Sequence, residues 1–176
     1  MTAPSATLLP DAAGTGWADP VCHYCGCRQI PLIRDYIAEH ELALALGARA
    51  LEEAGRGALA DAQATVAEMR AELVRHWQGE EEGVFALMRS DELYREHIDP
   101  LIAEHRELDA LLARLDLTSA TDRARLREEV EELKVHISKE EDGLFPVTLV
   151  EFNGPEWDAA IAAWERAHPG RTISVD

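Results

Sequence analysis

The sequence predicts an all-α protein: an up-down-up-down four-helix bundle with an N-terminal Cys-rich knuckle and a short C-terminal helix. Two repeated motifs and one periodicity carry that prediction. His76-Trp-Gln-Gly-Glu80 and His136-Ile-Ser-Lys-Glu140 share one design, and each continues into nearly the same tail, Glu-Glu-Gly-Val-Phe85 and Glu-Asp-Gly-Leu-Phe145. Ile37-Ala-Glu-His40 and Ile102-Ala-Glu-His105 are identical tetrapeptides, each ahead of one His-x3-Glu segment. Apolar residues recur around them at three-four spacing, the mark of helices with one buried face. The chain reads as a two-helix unit used twice.

Composition limits the partners. The 176 residues suit one domain with a substantial core. A net charge of −17 repels phosphate backbones and anionic lipid, so neither nucleic acid nor membrane is an expected partner. No basic segment leads into an apolar run, and no apolar stretch approaches about 18 residues, so the expected location is cytoplasmic.

Residues 1–20, rich in Ala, Gly, Thr and Pro without period, predict a mobile or extended arm. Residues 21–30 form a metal knuckle around Cys22, Cys25 and Cys27. An odd number of cysteines packed so closely does not read as a disulfide framework, and Cys-x2-Cys is the usual start of a tetrahedral zinc site. Adjacent residues rarely chelate one ion, so His168 is expected as the fourth ligand in place of His23.

The bundle is expected over residues 31–152. Pro31 suits a first turn, and Ile33, Tyr36, Ile37, His40, Leu44, Gly47, Ala48 and Leu51 continue the first helix until Gly55-Arg-Gly57. Asp61 is placed to cap the second, whose face runs Val66, Met69, Leu73, His76, Glu80, Val84, Leu87. After a turn at Ser90-Asp91, Pro100 either kinks the third helix or opens it with Asp99 as cap. Its inner face holds Ile102, His105, Leu108, Leu112 and Leu115. Thr121 caps the fourth, which carries Leu126, Val130, Leu133, His136, Ile137, Glu140, Leu144 and Phe145, with Pro146 bending or ending it. Asn153-Gly-Pro155 then breaks the chain, and residues 153–176 form a cover helix through Trp157, Ile161 and Trp164 and a tail.

Positions i and i+4 share a helix face, so each His-x3-Glu points an imidazole and a carboxylate the same way. A carboxylate on a buried stripe is costly unless paired or metal-bound. Four imidazoles and two carboxylates make a site for two ions, each held by two histidines and both bridged by the glutamates. Mixed nitrogen and oxygen donors suit iron, manganese or zinc and disfavour calcium or magnesium. Tyr36, one turn before His40, either packs or hydrogen-bonds a ligand or a bound oxygen species. Glu39 and Glu104 point off the metal face, toward solvent or toward support of the ligands. Glu81 and Glu141 lie at i+5 and turn away from their own histidines. His97 reads as surface and Trp77 as packing.

The order His, His-x3-Glu, His, His-x3-Glu resembles the hemerythrin-like family (the HHE cation-binding domain) from Pro31 to Val150. The resemblance implies a non-haem di-iron centre, with His40, His76, Glu80, His105, His136 and Glu140 as ligands and an oxo or hydroxo bridge. Marine oxygen carriers of the family differ, with five histidines and an Asp. This chain looks like the branch that includes bacterial iron-sulfur repair proteins and mycobacterial hemerythrin-like proteins, without the separate N-terminal domain of the former. The expected function is binding or processing of dioxygen, peroxide or nitric oxide, with oxidase, peroxidase or catalase-like activity if the protein is an enzyme. The alternative is an iron or redox sensor, or an iron donor for iron-sulfur repair, without turnover. A small diatomic or peroxide ligand, and a redox partner, are the partners this implies.

Overall fold

Among residues 26–174, which the computed structural model describes, helices follow one another through short turns with no strand. After a 3-10 turn at Cys27–Gln29 come α1 (Pro31–Gly55), α2 (Leu59–Glu82), α3 (Val84–Met88), α4 (Glu92–Leu112) and α5 (Ala120–Ser138). A π-helical segment (Lys139–Leu144), α6 (Phe145–Glu151) and α7 (Gly154–Ala167) complete the order. The expected arm at 1–20, and Cys22 and Cys25, lie outside the described residues.

Local chemistry sets the helix ends. Pro31 stands in the first turn of α1, where a missing N–H costs nothing. The buried face of α1 runs through Tyr36, His40, Ala43, Gly47, Ala50 and Ala54, whereas Leu44 is half-buried and Ala48 exposed. Repeated steps of four overshoot a 3.6-residue turn by about 40° each, which carries Ala48 off the face expected of it. α2 starts two residues before Asp61, which lies in its first turn and is not its cap. Pro100 neither opens nor ends α4: Asp91 caps that helix by accepting from the Leu93 N–H at 2.9 Å, and the helix continues through the proline. Asp99 instead pairs with Arg89 at 2.5 Å. Ser119, not Thr121, caps α5, accepting from Asp122 N.

Both long helices break close to the ends of the His-x3-Glu motifs, the first at Gly83 and the second from Lys139. Gly83, at φ −109° and ψ −103°, divides α2 from α3. In the second copy the break takes the form of the π-helical segment, and Pro146 falls in the first turn of α6. Such one-turn irregularities re-aim the side chains around them.

α1 packs against α2 and α5, and α4 against the same two helices. Two apolar clusters fill the bundle: one from Ala43, Leu73, Leu112 and Leu133 and their neighbours, the other from Ile33, Phe85, Ile102 and Phe145 and theirs. In sequence, His40, Glu80, His105 and Glu140 fall between members of the two clusters, and His76 and His136 each stand one residue before the last member of the first cluster on their helix. α7 opens with a capping box, in which the Glu156 carboxylate accepts from Asn153 N at 2.7 Å, and it lies on α2. Gly79 permits that approach, since a Cβ there would sit 3.3 Å from Trp164 Cδ1 and 3.5 Å from Tyr36 Oη.

Candidate metal centre

One histidine comes from each of α1, α2, α4 and α5, and all four are buried. Their Nε2 atoms converge in pairs, His40 with His76 at 2.9 Å and His105 with His136 at 3.0 Å. Glu80 and Glu140 are fully buried beside them. Glu140 Oε1 lies 2.9 Å from His136 Nε2 and 3.5 Å from His105 Nε2, and Oε2 lies 3.2 Å from His40 Nε2. Glu80 Oε2 lies 3.2 Å from His76 Nε2 and 3.7 Å from His105 Nε2.

The other ring nitrogens explain why Nε2 faces inward. His76 Nδ1 donates to Glu39 at 3.0 Å and His136 Nδ1 to Glu104 at 2.7 Å, so the glutamate of each Ile-Ala-Glu-His tetrapeptide serves the second histidine of its own unit. His105 Nδ1 donates to Glu81 at 3.0 Å and His40 Nδ1 to Glu141 at 2.9 Å, so each i+5 glutamate crosses to the other unit. The phenyl rings of the tails cross in the same way, Phe85 stacking on His105 and Phe145 on His40. A carboxylate only accepts, so it fixes the Nδ1–H tautomer and leaves the Nε2 lone pair available to an ion.

The donor set fits a metal on one observation in particular. Neither oxygen of Glu80 or of Glu140 makes a hydrogen bond, although both residues are fully buried and imidazole nitrogens stand close by. Short but misaligned approaches of this kind are those of co-ligands around a cation, and unpaired buried carboxylates are otherwise expensive. Two ligand groups result: His40, His76, Glu80 and Glu140, and His105, His136 and Glu140, with Glu140 common to both.

Without an ion, protons occupy the cluster. Burial pushes His76 down, but the Glu80 charge and a hydrogen bond to Glu39 together raise it to about 10. Burial likewise opposes protonation of His136, and the close approach and charge of Glu140, with the hydrogen bond to Glu104, carry it to about 9. Burial raises the Glu140 carboxyl, yet His105 and His136 more than offset this and hold it well below its usual range.

Glu39 is the most elaborately held carboxylate. Besides His76 it accepts from Trp164 Nε1 at 3.1 Å and Arg171 Nη1 at 3.0 Å, and His168 Nε2 lies 3.1 Å from its Oε1. Burial works to raise it, but hydrogen bonds from His168 and His76 lower it to about 2. No spacing in the sequence announces this contact, since Trp164 lies 125 residues from Glu39.

His168, expected as the fourth knuckle ligand, is buried beside Glu39. Its Nδ1 donates to the Trp164 carbonyl at 2.8 Å and its Nε2 faces Glu39, so both ring nitrogens are engaged inside the bundle. Cys22 and Cys25 lie outside the described residues, and Cys27 is described only by its backbone. Tyr36 is fully buried, its ring edge-on to His76 at 5.4 Å, and its hydroxyl makes no hydrogen bond. Burial first, and then the charges of Glu80, Glu39 and Glu140, keep that phenol protonated far above its usual range. Trp77 stacks on His105, and His97 is exposed.

Fold and site together define a helical metal-binding domain built around a buried cluster of imidazoles and carboxylates. The chain belongs to the hemerythrin HHE cation binding domain family, whose match spans residues 32–148. No curated protein and no solved structure matched the chain. Among the described residues, no helix is long and apolar enough to cross a membrane.

Proposed function

We propose that this protein is a hemerythrin-like non-haem di-iron protein that binds or processes dioxygen, peroxide or nitric oxide. The observation that carries the reading is the convergence of four Nε2 atoms on two buried carboxylates whose oxygens have no hydrogen-bond partner. His40, His76 and Glu80 would hold one ion and His105 and His136 the other, with Glu140 shared. Iron held in this way supplies reversible electron transfer and a Lewis-acidic position for a small molecule.

The chain's own residues then set the conditions. Glu39, Glu81, Glu104 and Glu141 orient the rings and raise their basicity through Nδ1. The two apolar clusters pack on either side of the site. The unpaired Tyr36 hydroxyl is a proton donor held at the His76 side, available to a bound small molecule. The order in which the helices pass from one apolar cluster to the other supports an up-down-up-down arrangement. A zinc ion on Cys22, Cys25 and Cys27 belongs to the same proposal. A cytoplasmic location, where closely spaced thiols stay reduced, completes it.

The test is metal content per chain in protein from iron-supplemented cells, with optical spectra before and after peroxide. Two irons and one zinc, with near-ultraviolet bands that change on peroxide addition, are expected. Steady peroxide consumption assigns an enzyme, a reversible spectrum without turnover a sensor, and iron transfer to an apo-cluster protein a donor. Failure to take up iron on anaerobic reconstitution overturns the reading.

A further inference from the structure

The two halves of the centre are built from repeated sequence but covered differently. On the His40/His76 side, Glu39 is buried beneath Trp164, His168 and Arg171, and Glu141 is closed over by Arg28 at 2.6 Å. On the His105/His136 side, Glu104 is 36% exposed and its only ion-pair partners among the described residues are His136 and Lys139. A cleft of about 320 Å³ opens there between α4 and α5, with His105 and His136 on its floor and Glu107, Glu132 and Lys139 around it. A shallower hollow beyond Trp77 reaches His105 but not His136.

The charges of the cleft are unbalanced. Its two cations are occupied, Arg125 by Glu128 and Glu129 and Lys139 by Glu104. Glu107 and Glu132 are exposed and in no ion pair among the described residues, so the cleft presents uncompensated negative charge over two metal-ligating imidazoles. Such a field concentrates cations, repels anions, and does little to a neutral diatomic or to peroxide.

We infer that the α4/α5 cleft is the route by which divalent metal ions reach the centre, that the His105/His136 position fills first, and that Glu107 and Glu132 draw the ion in. The inference rests on the metal-centre reading. It makes the two positions unequal: the one under α7 exchanges slowly and the one below the cleft quickly.

The test is stopped-flow loading of the ion-free protein with Co2+, followed by its visible ligand-field bands, together with the equilibrium stoichiometry. Glu107→Gln/Glu132→Gln is expected to slow the first phase about tenfold at low ionic strength, and Glu107→Lys/Glu132→Lys to slow it further. Both effects should fade in high salt while stoichiometry stays that of the parent. The control is Asp61→Asn/Asp158→Asn, which makes the same charge change at residues that do not line the cleft. Asp61 lies fifteen residues before His76 on α2, about 22 Å away along the helix. Equal rates in the parent and the cleft variants, with normal stoichiometry, overturn the route and leave the centre standing. Equal slowing in the control also overturns it, because net charge would then explain the effect. Absence of any uptake by the parent overturns route and centre together.

Discussion

Glu141 accepts a hydrogen bond from His40 Nδ1 at 2.9 Å across 101 residues of sequence, and Glu81 does the same for His105 at 3.0 Å. The two units of the repeat thus exchange carboxylates, each steadying the first histidine of the other.

These crossed bonds orient imidazoles without being ligands. Glu81→Gln or Glu141→Gln retains an acceptor but removes its charge. We expect metal affinity to fall by about 10- to 100-fold with stoichiometry unchanged. A chelator-competition titration checks this, and unaltered affinity in both variants would show the bonds to be incidental.

Glu140 lies in both ligand groups and Glu80 in one. Glu140→Gln is therefore expected to strip both positions, whereas Glu80→Gln leaves uptake at His105/His136. Elemental analysis after reconstitution distinguishes them. Equal losses would mean that Glu80, whose Oε2 lies 3.7 Å from His105 Nε2, bridges as fully as Glu140 does.

The ion-free protein should depend on pH in a direction that the cluster dictates. His76 at about 10 and His136 at about 9 stand above their usual 6.5, so the native state binds more protons than the unfolded chain. Their contribution is complete below about pH 6.5 and is lost as pH rises through about 9 and 10. Glu39, lowered from 4.5 to about 2, acts oppositely: its contribution is complete above about pH 4.5 and is lost as pH falls toward 2. Urea midpoints measured in chelator should peak between about pH 4.5 and 6.5 and decline on both sides. Metal competes for the same nitrogens, so uptake near neutrality releases protons and affinity climbs with pH. A midpoint that rises steadily to pH 9 in chelator would contradict these assignments.

Trp164 joins packing to the site, fully buried with its Nε1–H on Glu39. Trp164→Ala should cost about 3–5 kcal/mol of ion-free stability, the usual range for a large buried aromatic. Trp164→Phe should cost less, because it keeps part of the packing and forfeits a hydrogen bond to a charged group of about 1.5–3 kcal/mol. Denaturant unfolding ranks the two, and a cost for Phe equal to that for Ala would place the whole effect in the bond to Glu39.

The repeated motifs and helical periodicity together singled out His40, His76, Glu80, His105, His136 and Glu140 as candidates, because a turn of about 100° per residue is a local property that spacing records directly. The same local logic found the break at Asn153-Gly-Pro155 ahead of α7 and the proline at the start of α1. It could not say where Glu39, Glu81, Glu104 and Glu141 would point, since their partners stand on other helices and only the packing of those helices sets the distance. It left open whether Pro100 would lie within α4 or open it, and it did not foresee that the tail of the second motif would become a π-helical turn. In both places tertiary contacts outweigh a local preference of a few kcal/mol. The sequence determined which atoms are available to an ion; the tertiary structure decided which nitrogen of each imidazole faces it, because that choice rests on carboxylates delivered from elsewhere in the bundle.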